Sequence, residues 1–161
     1  MSRWAKRPGK PAALTVIDDV TENAILDQID LAATRTAFVI VPTQGSLLDA
    51  TEAANAIRLV RNQEKASGRT IPTAVLFTRT SAALKPRSLR AIADELAQAG
   101  VKALDVQMHE RDAFRAIFSF GGSLVDLDPA QVSNIPAAVA NARAFAREVI
   151  ALLRPAKAEA A

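Results

Sequence analysis

The chain has 161 residues, half of them hydrophobic and only 4% aromatic, which is enough for one domain with a substantial core. It has no cysteine and a single histidine, His109, so disulfides, thiolate zinc sites, cysteine nucleophiles and histidine-based metal sites are excluded. The formal net charge of +3 permits contact with nucleic acid without demonstrating it. No apolar run approaches the roughly 20 residues of a membrane span, and no secretory signal is present, so we expect a cytoplasmic protein without membrane contact.

The N-terminal quarter of the chain is predicted to hold a basic arm, one strand and one helix. Residues 1–11 carry four basic side chains among prolines and a glycine, a pattern typical of a flexible start. Residues 12–17 are a short β-capable run that opens the single predicted domain, 12–153. A helix is predicted over about 21–33 from apolar residues at helical spacing. Residues 154–161 are predicted to be a frayed tail.

The first clear strand–helix unit begins at Phe38. Residues 38–41 form a continuous apolar run, which is typical of a parallel strand buried on both faces. Ser46 and Asp49 resemble a capping box, so a helix is predicted from there to about Lys65. Gly68 marks its end.

The same alternation continues along the rest of the chain. We predict strands over 71–78, 101–106 and 124–127, and helices over 86–99, 110–118 and 135–153. The fold class is therefore α/β, a mostly parallel sheet of about four to five strands flanked by helices and connected by right-handed crossovers. The phenylalanines that follow residue 110, Phe114, Phe118 and Phe120, are predicted to lie in the core with Ile117.

Candidate ligand contacts follow the predicted strands, because open α/β sheets bind ligands at the carboxyl ends of their strands. Thr43 and Gln44 follow the first of these strands, and Thr78 and Arg79 end the next. Arg111 is the best candidate after the third. The alternatives are turn and capping chemistry at Thr43 and Gln44, a solvated arginine or one paired with a neighbouring carboxylate at Arg79, and loop or helix-capping roles around Arg111. His109 with its acidic neighbours has no matching nucleophile or second base, so we predict no catalytic residue.

Four basic residues, Arg79, Lys85, Arg87 and Arg90, have no acidic residue between them. They lie at or before a predicted helix N-terminus, where the helix dipole favours acidic residues instead. This mismatch favours contact with an anion, and the alternative is a solvated face. The sequence has neither the Gly-x-x-x-x-Gly-Lys-Ser/Thr string of a phosphate loop nor a Gly-x-Gly-x-x-Gly string.

The order of these pieces resembles the later half of the ParA/MinD family of partition ATPases. Residues 38–49 resemble the family's strand, Pro, polar turn and Leu-Asp helix start; 71–79 resemble its next strand and 109–129 its late loop and final strand. The similarity covers roughly 36–153. It implies a truncated P-loop NTPase (ParA-like) fold, because the family's phosphate-loop lysine and catalytic aspartate have no counterpart here, and it leaves open whether the chain is an enzyme.

The resemblance implies a role in plasmid or chromosome partition, with ATP possible on its adenine side only and magnesium not expected. Its adenine-facing loops match Thr78, Arg79 and the region of Arg111. Thr43 and Gln44, at the end of the preceding strand, complete the predicted cofactor-binding residues. Its sequence-independent DNA contacts match the three basic residues Lys85, Arg87 and Arg90. The implied partners are a second copy of the chain in a homodimer, DNA and a centromere-binding adaptor protein.

Two other function classes remain beside a ParA-like protein with a degenerate site. One is a non-catalytic interaction or dimerisation domain, and the other is a bare DNA-binding module. Retained ATP binding would distinguish the first hypothesis from both. Without a phosphate-loop strand, the edge of strand 38–41 lacks its family neighbour, so we predict that residues 12–17 pair with it or that the chain dimerises through it.

Overall fold

The computed structural model describes residues 38–84 and 86–153 of the chain. Strands and helices alternate in this part, as the sequence predicts. The elements are β1 (Val39–Thr43), α1 (Leu47–Ser67), β2 (Thr73–Thr80), α2 (Arg87–Gln98), β3 (Lys102–Ala103), β4 (Met108–His109), α3 (Asp112–Phe120), a 3₁₀ helix (Leu124–Asp126) and α4 (Ile135–Leu153). The predicted helices 86–99 and 135–153 are confirmed, and the helix predicted over 110–118 is found two residues further along.

The sheet is parallel throughout the described residues. β2 is central: β1 pairs with its residues 73–77, β3 with residues 74–75 and β4 with residues 78 and 80. The strand order is β1-β2-β3, and β4 also pairs directly with β2. In the register of β1 and β2, Val41 lies opposite Val75 and Thr43 opposite Phe77. The predicted α/β class with a mostly parallel sheet of four strands is thereby confirmed.

Helices α1 and α2 cover one face of the sheet. Val41, Val75 and Phe77 point to that face and pack in one cluster with Ile57 of α1 and Ile92 of α2. Phe77 is 2% exposed and Val75 is fully buried. Because successive residues of a strand point to opposite faces, this alternation places Ala74 and Leu76 on the other side.

Helix α4 covers that second face. Phe145 and Val149, one turn apart, pack there against Ala74, Leu76 and Leu104. The N-terminal half of α4 packs against α3 and against the loop between the two helices. The buried residues of this cluster are Ala113, Ala116, Leu127, Val132, Ile135 and Ala138. α4 therefore ties the sheet to the α3 region, which carries one side of the candidate site.

The strand predicted over 101–106 is only partly correct. Only β3, at residues 102–103, falls within it, and β4 follows at 108–109. Leu104 still donates its N–H to the Val75 carbonyl oxygen at 2.8 Å. The next two N–H groups turn away from β2 toward the carboxylate of Glu148 on α4. A side chain more than 40 residues away in sequence therefore replaces the strand partner.

The predicted edge strand over 124–127 is wrong, because residues 124–126 form a 3₁₀ helix. Ser123 and Asp126 form a capping box, with the Ser123 N–H donating to the Asp126 carboxylate at 2.8 Å. This reciprocal pair stabilises a helical turn instead of an extended chain. The core prediction also fails for Phe118 and Phe120, which are 45% and 60% exposed at the end of α3.

Helix α1 begins and ends where its sequence signals predict. The Ser46 hydroxyl accepts the Asp49 N–H at 3.1 Å, and Gly68 ends the helix in the left-handed region at φ 64°. Near that end, the Glu64 carboxylate accepts hydrogen bonds from Arg61 at 2.7 Å and from the Ile71 N–H at 2.8 Å. Glu64 thus fixes the connection from α1 to β2.

We expect Glu64→Ala to lower the free energy of unfolding by roughly 1–3 kcal/mol, because it leaves the partly buried Ile71 N–H without its acceptor. Burial raises the pKa of Glu64, but the hydrogen bonds from Arg61 and Ile71 outweigh it and leave the pKa below its ordinary value. This stabilisation is therefore complete above the pKa of the unfolded chain and is lost as the pH falls through the folded pKa.

Urea unfolding of wild type and Glu64→Ala at pH 7 and at pH 3 measures both effects. The difference between the two proteins should be full at pH 7 and smaller at pH 3. Glu52→Ala, at an exposed position of the same helix, is the control. An equal difference at both pH values would contradict the role given to the Glu64 carboxylate.

Several predictions concern residues outside the described part of the chain. They are the arm 1–11, the strand 12–17, the helix 21–33 and the tail 154–161. The pairing predicted for the edge of strand 38–41 therefore stays a prediction. Among the residues that are described, no helix is both long and apolar enough to cross a bilayer.

Candidate functional site

The carboxyl ends of β1 and β2 meet at one edge of the sheet. The Thr78 hydroxyl donates a hydrogen bond to the Thr43 carbonyl oxygen at 3.0 Å, although the two residues are 35 positions apart. Thr43 itself is buried, and its own hydroxyl donates to the Gln44 carbonyl at 3.3 Å. The end of β2 is therefore held against the turn that follows β1.

An open groove of about 500 Å³ lies between the ends of β2 and β4 and helix α3. We call it the β2–β4 groove. Its lining comprises Thr78, Arg79, Met108, His109, Glu110, Arg111, Phe114, Arg115, Ile117 and Phe118. Met108 and the three apolar residues of α3 make much of this surface non-polar, while three arginines and one glutamate supply its charge. Such a surface suits a flat apolar group that also carries hydrogen-bond acceptors.

Arg79 occupies an unusual position in this groove. Its φ is 54°, in the left-handed region that non-glycine residues seldom adopt, and it lies within β2. Its Nε donates to Glu110 at 2.8 Å, and Arg115 pairs with the other oxygen of the same carboxylate. The hydrogen bond from Arg79 lowers the pKa of Glu110 below its usual value, so the carboxylate is ionised at neutral pH.

Arg111 differs from the other two arginines because it is not tied to Glu110. It precedes α3 as the N-cap residue in extended conformation, and its side chain is half-buried. Its Nε is buried and has no hydrogen-bond partner among the described residues. A buried donor without an acceptor costs free energy, so this atom would gain from an acceptor on a bound ligand.

His109 is held in place from both its backbone and its ring. The Thr80 hydroxyl lies 2.9 Å from the ring Nδ1, and the backbone N–H donates to the Asn141 side chain at 3.0 Å. These bonds fix the backbone from which Glu110 and Arg111 continue. His109 therefore belongs to the wall of the groove.

The predicted ligand residues divide into two groups. Thr78, Arg79 and Arg111 line the β2–β4 groove together, as the sequence analysis requires. Thr43 and Gln44 do not line it: Thr43 acts through its carbonyl on Thr78, and Gln44 lies half-buried in the following turn. Thr43 therefore contributes to the groove only by holding Thr78.

The predicted basic set lies on and before α2. Lys85 lies outside the described residues. Arg87 and Arg90 are exposed on α2, and neither forms an ion pair within the part of the chain that is described. They flank a shallow depression of about 400 Å³ over Phe77 and Leu89. We call Arg87 and Arg90 the α2 basic face.

Arg79 does not belong to that face in the way the sequence indicates, because it is neutralised by Glu110. It also lines a small cleft with the start of α2, where Pro86 caps the helix without a side-chain hydrogen bond and no acid occupies the first turn. A Cβ at Gly45 would lie 3.1 Å from Leu89, so a glycine there lets the β1 turn approach α2 closely.

Sequence reasoning missed two contributors to the groove. Glu110 joins Arg79 and Arg115, and no local pattern reveals a pair 31 residues apart. The second is Phe118, which was assigned to the core; its i, i+4 spacing from Phe114 also describes an apolar face that borders a groove.

Comparison with known proteins finds two matches. The family model described as "VirC1 protein" matches residues 17–155. The chain is also similar to a protein named "Protein ParA" from Rhizobium radiobacter, with 32% identity over 168 residues, covering 91% of this chain and 75% of that protein.

Proposed function

The chain belongs to the VirC1 family of ParA-like partition proteins, and we propose that it acts in DNA partition. In this proposal it keeps the adenine side of a nucleotide site and a DNA-contacting helix, and it lacks the phosphate-binding loop. It would act in the cytoplasm as a homodimer together with a centromere-binding adaptor protein.

The observation that carries the nucleotide part is the joint position of Thr78, Arg79 and Arg111 in the β2–β4 groove. A purine ring offers flat faces to Met108 and Phe114 and acceptor nitrogens at its edge. The buried Nε of Arg111 is a donor in need of such an acceptor. These properties fit an adenine ring better than a phosphate group, because Arg79 and Arg115 already pair with the carboxylates of Glu110 and Asp112.

In the proposed site, no phosphate-binding loop contacts the phosphates of the nucleotide. No Gly-x-x-x-x-Gly-Lys-Ser/Thr string occurs in this sequence, and such a string supplies the backbone N–H groups and lysine that surround phosphates. The proposed protein therefore binds nucleotide without hydrolysing it alone, and magnesium contributes little to its affinity.

Calorimetric titration with adenosine, ATP and ATP plus magnesium tests this proposal. We expect adenosine and ATP to bind with affinities within about tenfold of each other, a difference of about 1.4 kcal/mol, and with little effect of magnesium. ATP binding that is stronger by several orders of magnitude and depends on magnesium would contradict the absence of a phosphate holder. Binding of neither compound would refute the nucleotide part and favour the non-catalytic interaction domain.

Arg111→Ala should weaken adenosine binding about tenfold or more, because a hydrogen bond from a charged donor contributes about 1.5–3 kcal/mol. Arg58→Ala removes an equal charge from an exposed position of α1 and is the matched control. The same titration measures both variants. An Arg111→Ala protein that binds like Arg58→Ala would show that the buried Nε does not meet the ligand.

The DNA part of the proposal rests on the α2 basic face and on Lys85. Arg87 and Arg90 are exposed and unpaired among the described residues, so both are available to phosphate oxygens. α2 also has no acid in its first turn, which leaves its positive dipole end unopposed. Contacts of this kind do not depend on base sequence.

A further inference from the structure

Two side chains of α4 bind the backbone that leads into the β2–β4 groove. The Glu148 carboxylate accepts from the N–H groups of Asp105 at 2.8 Å and Val106 at 2.9 Å. The Asn141 side chain accepts from the His109 N–H at 3.0 Å and donates to the Gln107 carbonyl at 2.8 Å. Seven residues separate Asn141 from Glu148, which places them on one face of the helix, two turns apart.

Three of these four hydrogen bonds occur where the sheet cannot supply its own. The chain between β3 and β4 leaves the β2 ladder, so the backbone groups of residues 105–107 need other partners. The fourth bond is made by the His109 N–H in β4, whose next residue, Glu110, donates its own N–H to the Thr80 carbonyl oxygen of β2 at 2.8 Å. Val106, Gln107 and His109 are all half-buried, which makes unpaired N–H and carbonyl groups costly there. α4 therefore replaces a missing strand neighbour over residues 105–107 and holds β4 at His109.

The segment held in this way ends directly at the groove. His109 is followed by Glu110, which pairs with Arg79 and Arg115, and by Arg111, whose Nε is buried without a partner in the described part. A shift of the backbone at His109 would displace both residues. The position of the groove's charged side chains thus depends on α4, although Asn141 and Glu148 are not among the residues that line it.

We propose that Asn141 and Glu148 are positioning residues for the ligand groove, which they form by fixing residues 105–109 against α4. This inference rests on the nucleotide binding proposed above. Because coupling between two equilibria is reciprocal, a ligand in the groove should in turn slow the opening of these hydrogen bonds. α4 is then the element through which a partner that contacts this helix would alter ligand affinity.

The residue types match the backbone they meet. Glu148 faces two donors and offers two acceptor oxygens, whereas a glutamine would turn one NH₂ group toward an N–H. Asn141 faces one donor and one acceptor, whereas an aspartate would place an anionic oxygen against the Gln107 carbonyl. Glu148→Gln and Asn141→Asp therefore remove one hydrogen bond each with almost no change in shape.

Amide hydrogen exchange and adenosine titration of these variants test the proposal. We expect exchange at the amides of residues 105 and 106 to rise about tenfold in Glu148→Gln, with β2 amides unchanged. Asn141→Asp keeps an acceptor for the His109 N–H and loses only the bond to the Gln107 carbonyl, so the His109 amide should stay protected in that variant. We expect adenosine affinity to fall at least threefold. Glu148→Asp, which keeps both acceptor oxygens, should recover part of the loss that Glu148→Gln shows.

The matched controls are Glu52→Gln and Asn55→Asp on α1, which make the same chemical changes away from the groove. Wild-type exchange at residues 105 and 106 in Glu148→Gln would overturn the proposal, and so would faster exchange there with unchanged adenosine affinity. If wild type binds neither adenosine nor ATP, the proposed function fails on its own. Exchange at residues 110–115 then decides the matter: faster exchange in the α4 variants supports the positioning role, and unchanged exchange refutes it.

Discussion

Phe77→Ala is expected to lower the free energy of unfolding by about 3–5 kcal/mol. Phe77 is 2% exposed at the centre of β2, where its ring packs between the sheet and the two helices α1 and α2. Removing the ring deletes contacts to both helices, and a strand that is hydrogen-bonded on both sides cannot move to fill the space. Such a loss is comparable with the whole stability of many small domains.

Urea unfolding followed by circular dichroism measures this effect. Phe120→Ala is the control, because it removes the same side chain from a position that is 60% exposed, and its expected effect is below about 1 kcal/mol. Similar losses in the two variants would contradict the central place given to Phe77. If Phe77→Ala does not fold, Phe77→Leu, which keeps most of the volume, should fold with a loss of about 1 kcal/mol.

The first two strand–helix units were predictable because their signals are local. β1 and β2 are apolar runs that end at polar residues, and α1 has its capping side chain and its terminal glycine within its own sequence. Parallel pairing followed from the alternation of strands with helices, since a short connection cannot join parallel strands. These features depend on residues a few positions apart.

The two failed strand predictions have different causes. The apolar pattern of 101–106 favours a continuous strand, and nothing near it reveals that Glu148 will take two of its N–H groups. The run 124–127 is apolar enough for a strand, but the Ser123–Asp126 capping box decides its conformation. The first cause lies far away in sequence, whereas the second is a local signal that the apolar pattern outweighed. In both cases a side chain competes successfully for backbone hydrogen bonds.

The grouping of the candidate site residues was predictable from the sequence, but their charge pairing was not. Parallel strand ends meet at one edge of a sheet, so Thr78, Arg79 and Arg111 could be brought together from the strand order alone. The charge state of the site could not, because the Glu110 pairing with Arg79 depends on register between β2 and β4 and on a positive φ at Arg79. Of the partners considered for Arg79, which were a ligand phosphate, a base and a neighbouring carboxylate, the structure shows the carboxylate, and Glu110 shares it with Arg115.

The α2 basic face differs from Arg79 because its two arginines have no carboxylate partner within the described residues. Within the described residues, Arg87 and Arg90 have no acidic partner, so a DNA phosphate would not have to displace one. Each phosphate contact made by such a residue releases a counterion, and that release makes the affinity depend on salt. The proposed DNA contacts therefore predict a change in salt dependence as well as in affinity.

Arg87→Ala with Arg90→Ala should weaken binding to double-stranded DNA of arbitrary sequence about tenfold or more at low salt. It should also reduce the slope of log K against log salt by about 2, one for each phosphate contact. Fluorescence anisotropy over a salt series, with and without ATP, measures both quantities.

The matched control, Arg58→Ala with Arg143→Ala, removes the same charge from exposed positions of α1 and α4. If the two double variants lose the same affinity and slope, DNA responds only to net charge and the α2 basic face is not its contact surface. A loss confined to the Arg87 and Arg90 variant, and equal for unrelated DNA sequences, is the result that a phosphate-binding helix requires.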